Sequence, residues 1–417
     1  MIETNFKHTD IGLIPHDWEV KTLEESAQRV SVGLATSVTQ YYTRTGVPMF
    51  RNLNIKENRL DDSDILFLEE AFANANPTKK IHKDDVLTVH TGYVGISCVV
   101  PEKYEGALTF TTLITTTKRD ALSPNYLSMY LNSNMGMNEV ALLQAGGGRN
   151  NLNVNDFVNL RIPLPPTTAE QERIAEALSS IDCLISSLGE QIEKKRLIKQ
   201  GVMQQLLTGK TRLNGFTGEW LKRHIWEVTI WDKKFNGVEE YKQPETRKYP
   251  YVLAKELLSM QDNKGNVVLL STGSYCGWTT EERAGRFLCE GEVVTIPWGG
   301  VAIVKYTKGR FVTADNRLAT SNNVQLLSNK FLYLALLIRT DTLNSFYRGA
   351  SIKHPSMEDV LNLEIAFPPT IEEQNSIANI LTSMDDEIAA LEQKRDKYIA
   401  IKSGMMQQLL TGKIRLI

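Results

Sequence analysis

The most inviting chemical group in the chain is Gly209–Lys210–Thr211. Glycine, lysine and a hydroxyl in that order close a P-loop, where the lysine reaches phosphate and the hydroxyl holds magnesium. Such a loop also needs a glycine five residues earlier and a strand leading in. Position 204 is Gln204, and a helix-spaced apolar run leads in instead. The matching string at Gly412–Lys413 has Ile414 where the hydroxyl would stand. A helix C-terminus accounts for both glycines. Gly92–Tyr93–Val94–Gly95 is too short and too strand-bound for a dinucleotide fingerprint. The chain carries no G-x-S-x-G, no H-E-x-x-H and no kinase set. It also lacks the Asn/Asp-Pro-Pro-aromatic string that amino-methyltransferases set beside the target base; its Pro-Pro pairs follow Leu164 and Phe367 and precede threonine. Asp61, Asp62 and Asp64 read as a turn. Cys98, Cys183, Cys276 and Cys289 form no C-x-x-C pair and cluster with none of the histidines, which argues against structural zinc. A disulfide framework is not needed by a chain long enough to bury its own core, so isolated thiols in a reducing compartment are expected. No catalytic or metal set survives, and the residues point to a binding protein.

The 417 residues correspond to two or three domains at roughly 150 residues each. Hydrophobic residues make up 42% and charged residues 23%, which excludes a wholly disordered chain. With 47 basic against 49 acidic side chains, the formal net charge is −2. That excludes a protein holding nucleic acid by bulk charge, though not one with a local basic face. No apolar run approaches the roughly 18 residues of a membrane span, and the polar N-terminus lacks a signal-peptide core. A cytoplasmic protein with no membrane partner is expected.

What positions these side chains is a scaffold written twice. Residues 164–213 and 367–416 align without a gap and are identical at about half the positions; MQQLLTGK recurs letter for letter at 203–210 and 406–413. The preceding stretches correspond more weakly. Trp18 opens the first and Trp220 the second, at nearly equal distances from Pro165 and Pro368. Asp85–Val89 leading to Gly92 echoes Glu292–Ile296 leading to Gly299. Asp156, Asn159, Leu160 and Ile162 match Asp359, Asn362, Leu363 and Ile365. Two copies are a duplication rather than a solenoid.

Each matched segment reads as one long helix. Pro165–Pro166 and Pro368–Pro369 end the preceding strands. Thr167 and Thr370 stand as N-caps with Glu170 and Glu373 three residues on, a capping-box pattern. Gly209 and Gly412 read as the terminating glycines. Between them lie about 40 residues, or about 60 Å of helix. The apolar spacing at Ile174, Leu178, Ile181, Ile185, Leu188 and Ile192, and at Ile377, Leu381, Met384, Ile388 and Leu391, has a period near 3.5. That argues a coiled-coil seam whose simplest partner is the other copy. Lys194–Lys195–Arg196 reads as a solvated face or an interruption of the seam.

The remaining stretches read as mixed α/β (α+β) globular halves. Short β-branched strands are expected at Val86–Val89, Ile96–Val100, Thr109–Thr117, Val293–Ile296 and Val301–Lys305, with helices at Tyr126–Leu131 and Phe331–Ile338. Gly146–Asn151 and its counterpart Arg348–His354 read as polar loops. The expected organisation is a globular domain at 1–163, a helix at 164–213, a second globular domain at 214–366 and a second helix at 367–417, with a pseudo-two-fold internal duplication.

Taken together, the Ile14–Glu19 opening, the two P-P-T-x-x-E-Q-x-x-I-A segments, the two M-Q-Q-L-L-T-G-K ends and the Asp85–Gly92 run resemble the specificity subunit of Type I restriction-modification systems, over nearly the whole chain. The resemblance implies two target-recognition domains, each reading half of a bipartite, asymmetric site in double-stranded DNA. It implies two long antiparallel coiled-coil helices that set the unread spacer and dock two modification subunits. S-adenosylmethionine, ATP and magnesium would sit on partner subunits, namely the modification subunits that methylate adenine at N6 and the restriction subunits that translocate and cut. No cofactor is expected in this chain, which would itself perform no chemistry. A self-contained DNA methyltransferase or nuclease with fused readers, and a coiled-coil scaffold joining two protein-binding domains, are the other classes the residues allow.

Base edges are read by Arg or Lys at guanine and by Asn or Gln at adenine. On that chemistry the DNA-binding candidates of the first half are Arg51, Asn52, His90, Tyr93, Arg149, Asn150 and Asn151. Those of the second half are Lys255, Trp298, Arg317, Arg348, Lys353 and His354. The loop residues Arg149 and Lys353 head the two sets.

Overall fold

The structure is a computed structural model and describes residues 5–145 and 151–417. The chain divides into two units by its internal packing: residues 1–189 with 393–417, and residues 190–392. Each unit therefore owns one globular half and a stretch of both long helices.

In the first unit a four-stranded antiparallel sheet runs in the order Ser97–Val99, Val86–Val89, Thr112–Thr117, Ala27–Val32. A second sheet orders Leu108–Phe110, Val47–Arg51, Leu66–Leu68 and Tyr42–Thr43, and its first pair is parallel. In the second unit one six-stranded sheet runs Thr229–Trp231, Asn316–Ser321, Cys289–Pro297, Lys305–Thr313, Val267–Leu270, Cys276–Thr279. Here too a single pair, Val267–Leu270 with Lys305–Thr313, is parallel. Mixed helix and strand is thus borne out, with mostly antiparallel pairing.

Beneath these sheets the two units share a frame. Glu19–Thr22 pairs with Arg161–Leu164, as Leu221–His224 pairs with Glu364–Phe367. A one-turn helix follows each first strand, capped by a reciprocal box between Thr22 and Glu25 in the first unit and by the His224 N–H donating to the Glu227 carboxylate at 2.6 Å in the second. The helices expected near Tyr126 and Phe331 are Pro124–Leu131 and Asn329–Leu337, N-capped by Ser123 and Ser328. Their apolar residues join the core of their own unit, as do Ile174 and Leu178 in the first and Ile377 and Leu381 in the second. Each such fully buried Leu or Ile contributes about 1.5–3 kcal/mol.

The long helices span Thr168–Leu206 and Ile371–Leu409, 39 residues each. Thr167 and Thr370 cap them as expected, their hydroxyls accepting from the backbone N–H of Glu170 at 3.3 Å and of Glu373 at 3.4 Å. The reciprocal half of the capping box is absent. The Glu170 carboxylate, nearly fully buried, instead receives Arg415 Nε at 2.6 Å and Nη2 at 2.8 Å. Glu373 receives Arg212 Nε and Nη2, both at 2.6 Å. A bidentate guanidinium is a stronger partner for a buried carboxylate than a lone backbone N–H. The adjacent glutamine does a third task in each copy. Gln171 Oε1 accepts from Ser123 N at 2.8 Å, and Gln374 Oε1 from Ser328 N at 2.9 Å, tying each long helix to the globular part of its unit.

The helix ends are equally matched. Gly209 and Gly412 have φ +71° and +66°, the left-handed terminating conformation. Their bare α-carbons face tryptophan: a Cβ on Gly209 would lie 3.3 Å from the Trp220 ring, and one on Gly412 would lie 3.1 Å from Trp18 and 2.3 Å from Pro15. This explains why a Pro-x-x-Trp or Gly-x-Trp opening and a T-G-K ending recur together.

Where the seam meets charge, it meets opposite charge. In the first unit Lys402 lies 2.5 Å from Asp182. In the second, Lys195 lies 2.6 Å from Glu387, Arg196 lies 2.6 Å from Glu392, and Lys199 pairs with Asp385. In the second unit the later residue, Lys199, meets Asp385 while the earlier Lys195 meets Glu387, so the paired stretches there run antiparallel. Lys195 and Arg196 are therefore ion-pair members.

Two expected strands are corrected. Thr109–Thr117 is broken at Thr111, whose φ of +50° turns the chain from one sheet into another. A run of β-branched residues gives no sign of such a turn. Val301–Lys305 is a loop; the ladder begins at Lys305, because Gly300 N–H is taken by the Lys353 carbonyl and Ala302 N–H by Asn344 Oδ1. All four cysteines are free, two buried and two exposed. Burial pushes the Cys98 thiol up to about 12 and the Cys289 thiol up to about 11, so both stay protonated. Among the described residues no helix is long and apolar enough to cross a membrane.

Candidate nucleic-acid interface

The sequence match of Val86–Val89 to Val293–Ile296 makes Thr91 the counterpart of Trp298, and the match of Asp156 to Asp359 makes Asn151 the counterpart of His354. The strand register adds a third pair: Thr112 faces Val89 as Arg317 faces Ile296. In both units these three positions meet at the end of the central strand.

In the first unit the contacts are small and neutral. Thr91 pairs with Asn151 in an isolated antiparallel bridge, and Leu152 N–H donates to the His90 carbonyl at 3.1 Å. Asn52 Nδ2 donates to the Thr91 carbonyl at 3.1 Å, while its Oδ1 accepts from Thr112 Oγ1 at 3.3 Å. His90 Nδ1 lies 2.9 Å from Thr91 Oγ1. Gly92 and Gly95, at φ +90° and +97°, fold the loop so that Tyr93 between them is 86% exposed. Five predicted residues are thereby accounted for. Asn52, His90, Tyr93 and Asn151 form one cluster. Arg51 adjoins it, but its guanidinium turns to Asp64 at 2.7 Å. Arg149 and Asn150 lie outside the described residues.

In the second unit the same place is aromatic and cationic. His354 Nδ1 lies 2.7 Å from the Trp298 carbonyl, an acceptor only, so Nδ1 carries a hydrogen. The two rings sit 5.2 Å apart. Arg317 Cζ lies 4.4 Å and Lys233 Nζ 5.2 Å from the centre of the Trp298 ring. Gly300 N–H donates to the Lys353 carbonyl at 2.9 Å, and Tyr347 hydroxyl to the Pro297 carbonyl at 2.7 Å. A cleft of about 500 Å³ opens beside Trp298, lined also by Lys233, Lys234, Pro355, Met357 and Glu358.

Trp298, Arg317, Lys353 and His354 are thus assembled, but Arg317 is not presented. It is 2% exposed, and its Nη groups donate to Asp232 at 3.2 Å and Asp315 at 2.7 Å. Arg348 belongs to the neighbouring strand pair, where it faces His354 in register and bonds Asp359 at 2.6 Å. Lys255 stands exposed on the short helix Ala254–Ser259 and, among the described residues, makes no hydrogen bond or ion pair with the set. Sequence reasoning missed Thr91, Thr112, Asp232 and Lys233. Thr91 and Thr112 carry no chemical signal of their own; the Lys233–Lys234 doublet beside Asp232 was the one visible hint.

Asp62, in the expected turn, is held down to about 2 by hydrogen bonds from Lys103 and Tyr104. Among the described residues no three His, Cys, Asp or Glu side chains are placed to hold a metal ion.

A family described as the Type I restriction modification DNA specificity domain matches residues 15–195 and 245–400, so both copies are included. The chain belongs to that family. It is 26% identical to a Methanocaldococcus jannaschii protein assigned as the MjaX type I restriction enzyme specificity subunit, over 99% of this chain and 97% of that one. It is 23% identical to the MjaVIII type I restriction enzyme specificity subunit of the same organism, over 99% and 96%. Its fold is similar to that of the S subunit of a Type-I restriction-modification system from M. genitalium, with a TM-score of 0.63 and 14% identity, covering 98% of this chain and 97% of the other.

Proposed function

We propose that the chain is a non-catalytic specificity subunit that binds double-stranded DNA, each unit reading one half of a bipartite, asymmetric site. The observation that carries this reading is the pair of equivalent strand-end clusters. One frame, kept by matched Trp, Gly, Glu, Arg and Gln residues, presents Thr91, Asn151 and Asn52 in one unit and Trp298, His354 and Lys353 in the other. Two readers with one origin and different contents fit two different half-sites. Asn52, His90, Tyr93, Arg149, Asn150 and Asn151 serve the first reader; Trp298, Arg348, Lys353, His354 and the outlying Lys255 serve the second. Residues 1–163 and 214–366 are the recognition domains, and 164–213 and 367–417 form an antiparallel coiled coil that sets the spacer.

The ionic seam leaves exposed apolar residues such as Leu184 and Leu197 on the long helices. These faces suit docking of two modification subunits, which would bring S-adenosylmethionine. Restriction subunits using ATP and magnesium would join that core in the cytoplasm. The near-zero net charge suits a subunit that shares phosphate neutralisation with such partners.

Methylation mapping tests the reading. The chain is expressed with a cognate modification subunit in a methylation-free host, and the genome is sequenced for N6-methyladenine. One bipartite motif, methylated on both strands and lost when this chain alone is removed, is expected. A soluble complex that leaves no new methylation would favour a scaffold joining protein-binding domains.

A further inference from the structure

We propose that Arg317 is a positioning residue, which holds the Trp298 indole as the recognition surface of the second unit without touching DNA itself. The proposal rests on the function proposed above and assigns Arg317 a role different from the base contact its residue type suggests.

Three segments converge on this one guanidinium. Asp232 follows the strand Thr229–Trp231, Trp298 follows Cys289–Pro297, and Asp315 precedes Asn316–Ser321. Arg317 Nη1 reaches Asp232 and the Asn316 carbonyl, at 3.2 and 3.0 Å, and Nη2 reaches Asp315 at 2.7 Å. Asp315 in turn accepts Trp298 N–H on its carbonyl at 3.0 Å, and Asp232 accepts Leu318 N–H at 3.1 Å. The Trp298 backbone and ring are therefore tied to the same cation, the backbone through Asp315 and the ring by a cation–π contact of 4.4 Å.

With both carboxylates engaged and 2% exposure, the guanidinium has neither the freedom nor the surface to fork onto a guanine. What remains presented are the half-buried indole, the exposed His354 and the exposed Lys233. Thr112, at the register position of Arg317 in the first unit, does the corresponding task for its own loop by bonding Asn52. Anchoring from this strand position is thus common to both units, and the group anchored differs.

The test uses the complex with the modification subunit and a library of randomised targets, reading both half-sites in the same experiment. Arg317→Met and Trp298→Ala are each expected to relax discrimination about 10- to 100-fold at the same base positions of one half-site. The other half-site stays unchanged and serves as the control for folding. The double variant is expected to be no worse than Trp298→Ala alone, because both remove one interaction. Arg317→Lys, which keeps the charge but lacks the planar fork and the flat face that meets the indole, falls between wild type and Arg317→Met.

A second readout separates positioning from contact. The slope of log affinity against log salt stays at its wild-type value in Arg317→Met, whereas loss of a phosphate contact lowers it by about 1. A lowered slope, additive effects, or an unchanged half-site in all Arg317 variants overturns the proposal. If Arg317→Met fails to fold, Arg317→Lys and Trp298→Phe carry the test: relaxation at shared positions supports it and relaxation at different positions sinks it. A wild-type complex that shows no bipartite motif overturns the functional reading beneath it instead.

Discussion

The cluster around Thr91 and the cluster around Trp298 occupy the same place in the two units and are built to opposite taste. Thr91 is small and locked by neutral amide bonds from Asn52 and across to Asn151. Trp298 is large, faced by two cations and braced by a buried ion pair. Yet the frame under each cluster is nearly interchangeable: the same N-capping threonine, the same buried glutamate with its arginine, the same glutamine, and a glycine against a tryptophan. The contrast shows how a duplicated reader diversifies. The frame's buried carboxylates and helix caps find their partners within the frame, so the loop at the strand end can change chemistry without leaving a buried charge unpaired.

The strongest way to break this comparison is to attack what the units share. Arg415→Ala leaves Glu170 buried without a partner, and a loss of about 3–5 kcal/mol is expected in chemical denaturation. Arg212→Ala should do the same to Glu373, somewhat more mildly, since the Arg212 side chain is 25% exposed against 12% for Arg415. Hydrogen exchange should place the first loss in peptides of the first unit and the second in peptides of the second. Protection lost equally in both units in either variant would refute two independent clamps.

A finer test contrasts the terminating glycines. Both Gly412→Ala and Gly209→Ala put a side chain at positive φ, at a cost of about 1 kcal/mol or more. Only the first also drives a Cβ to 2.3 Å from Pro15, against 3.3 Å from Trp220 in the second. Thermal unfolding should therefore rank Gly412→Ala below Gly209→Ala. The reverse order would contradict the packing described here.

The loops should answer differently from the frame. Asn52→Ala should cost about 1–3 kcal/mol of DNA affinity and relax one position of the first unit's half-site, with the other half-site untouched. Methylation of a randomised library reads this directly, and a motif changed on both sides would show that Asn52 is only structural. Smallest of all, Lys255→Ala should weaken binding uniformly across sequences and lower the salt slope by about 1. A change in motif would move Lys255 into the readout.

Much of the frame was legible as text because its constraints are local. A proline stop, a capping threonine and a terminating glycine act within a turn of themselves, so the bounds of both long helices could be set from spacing. The duplication made each signal visible twice. The clamp escaped because its partners are far apart in the chain: Glu170 and Arg415 are 245 residues apart. Its only trace was that Arg212 and Arg415 recur in register with Glu373 and Glu170. The break at Thr111 escaped for the opposite reason, since a threonine at positive φ is set by the two sheets it joins and not by its neighbours.

The site divides along the same line. Residue type and repeat register by themselves determined the family resemblance, the two-copy plan, the long helices and a set of polar and aromatic candidates. Only the tertiary structure decided which of them face outward. It turned Arg51 to Asp64, left Arg348 exposed beside Asp359, and buried Arg317 between two carboxylates while leaving Tyr93 in the open. The physical reason is that a guanidinium goes to whichever carboxylate the fold brings within reach. That choice depends on strands that meet in space, and no spacing along the chain records it.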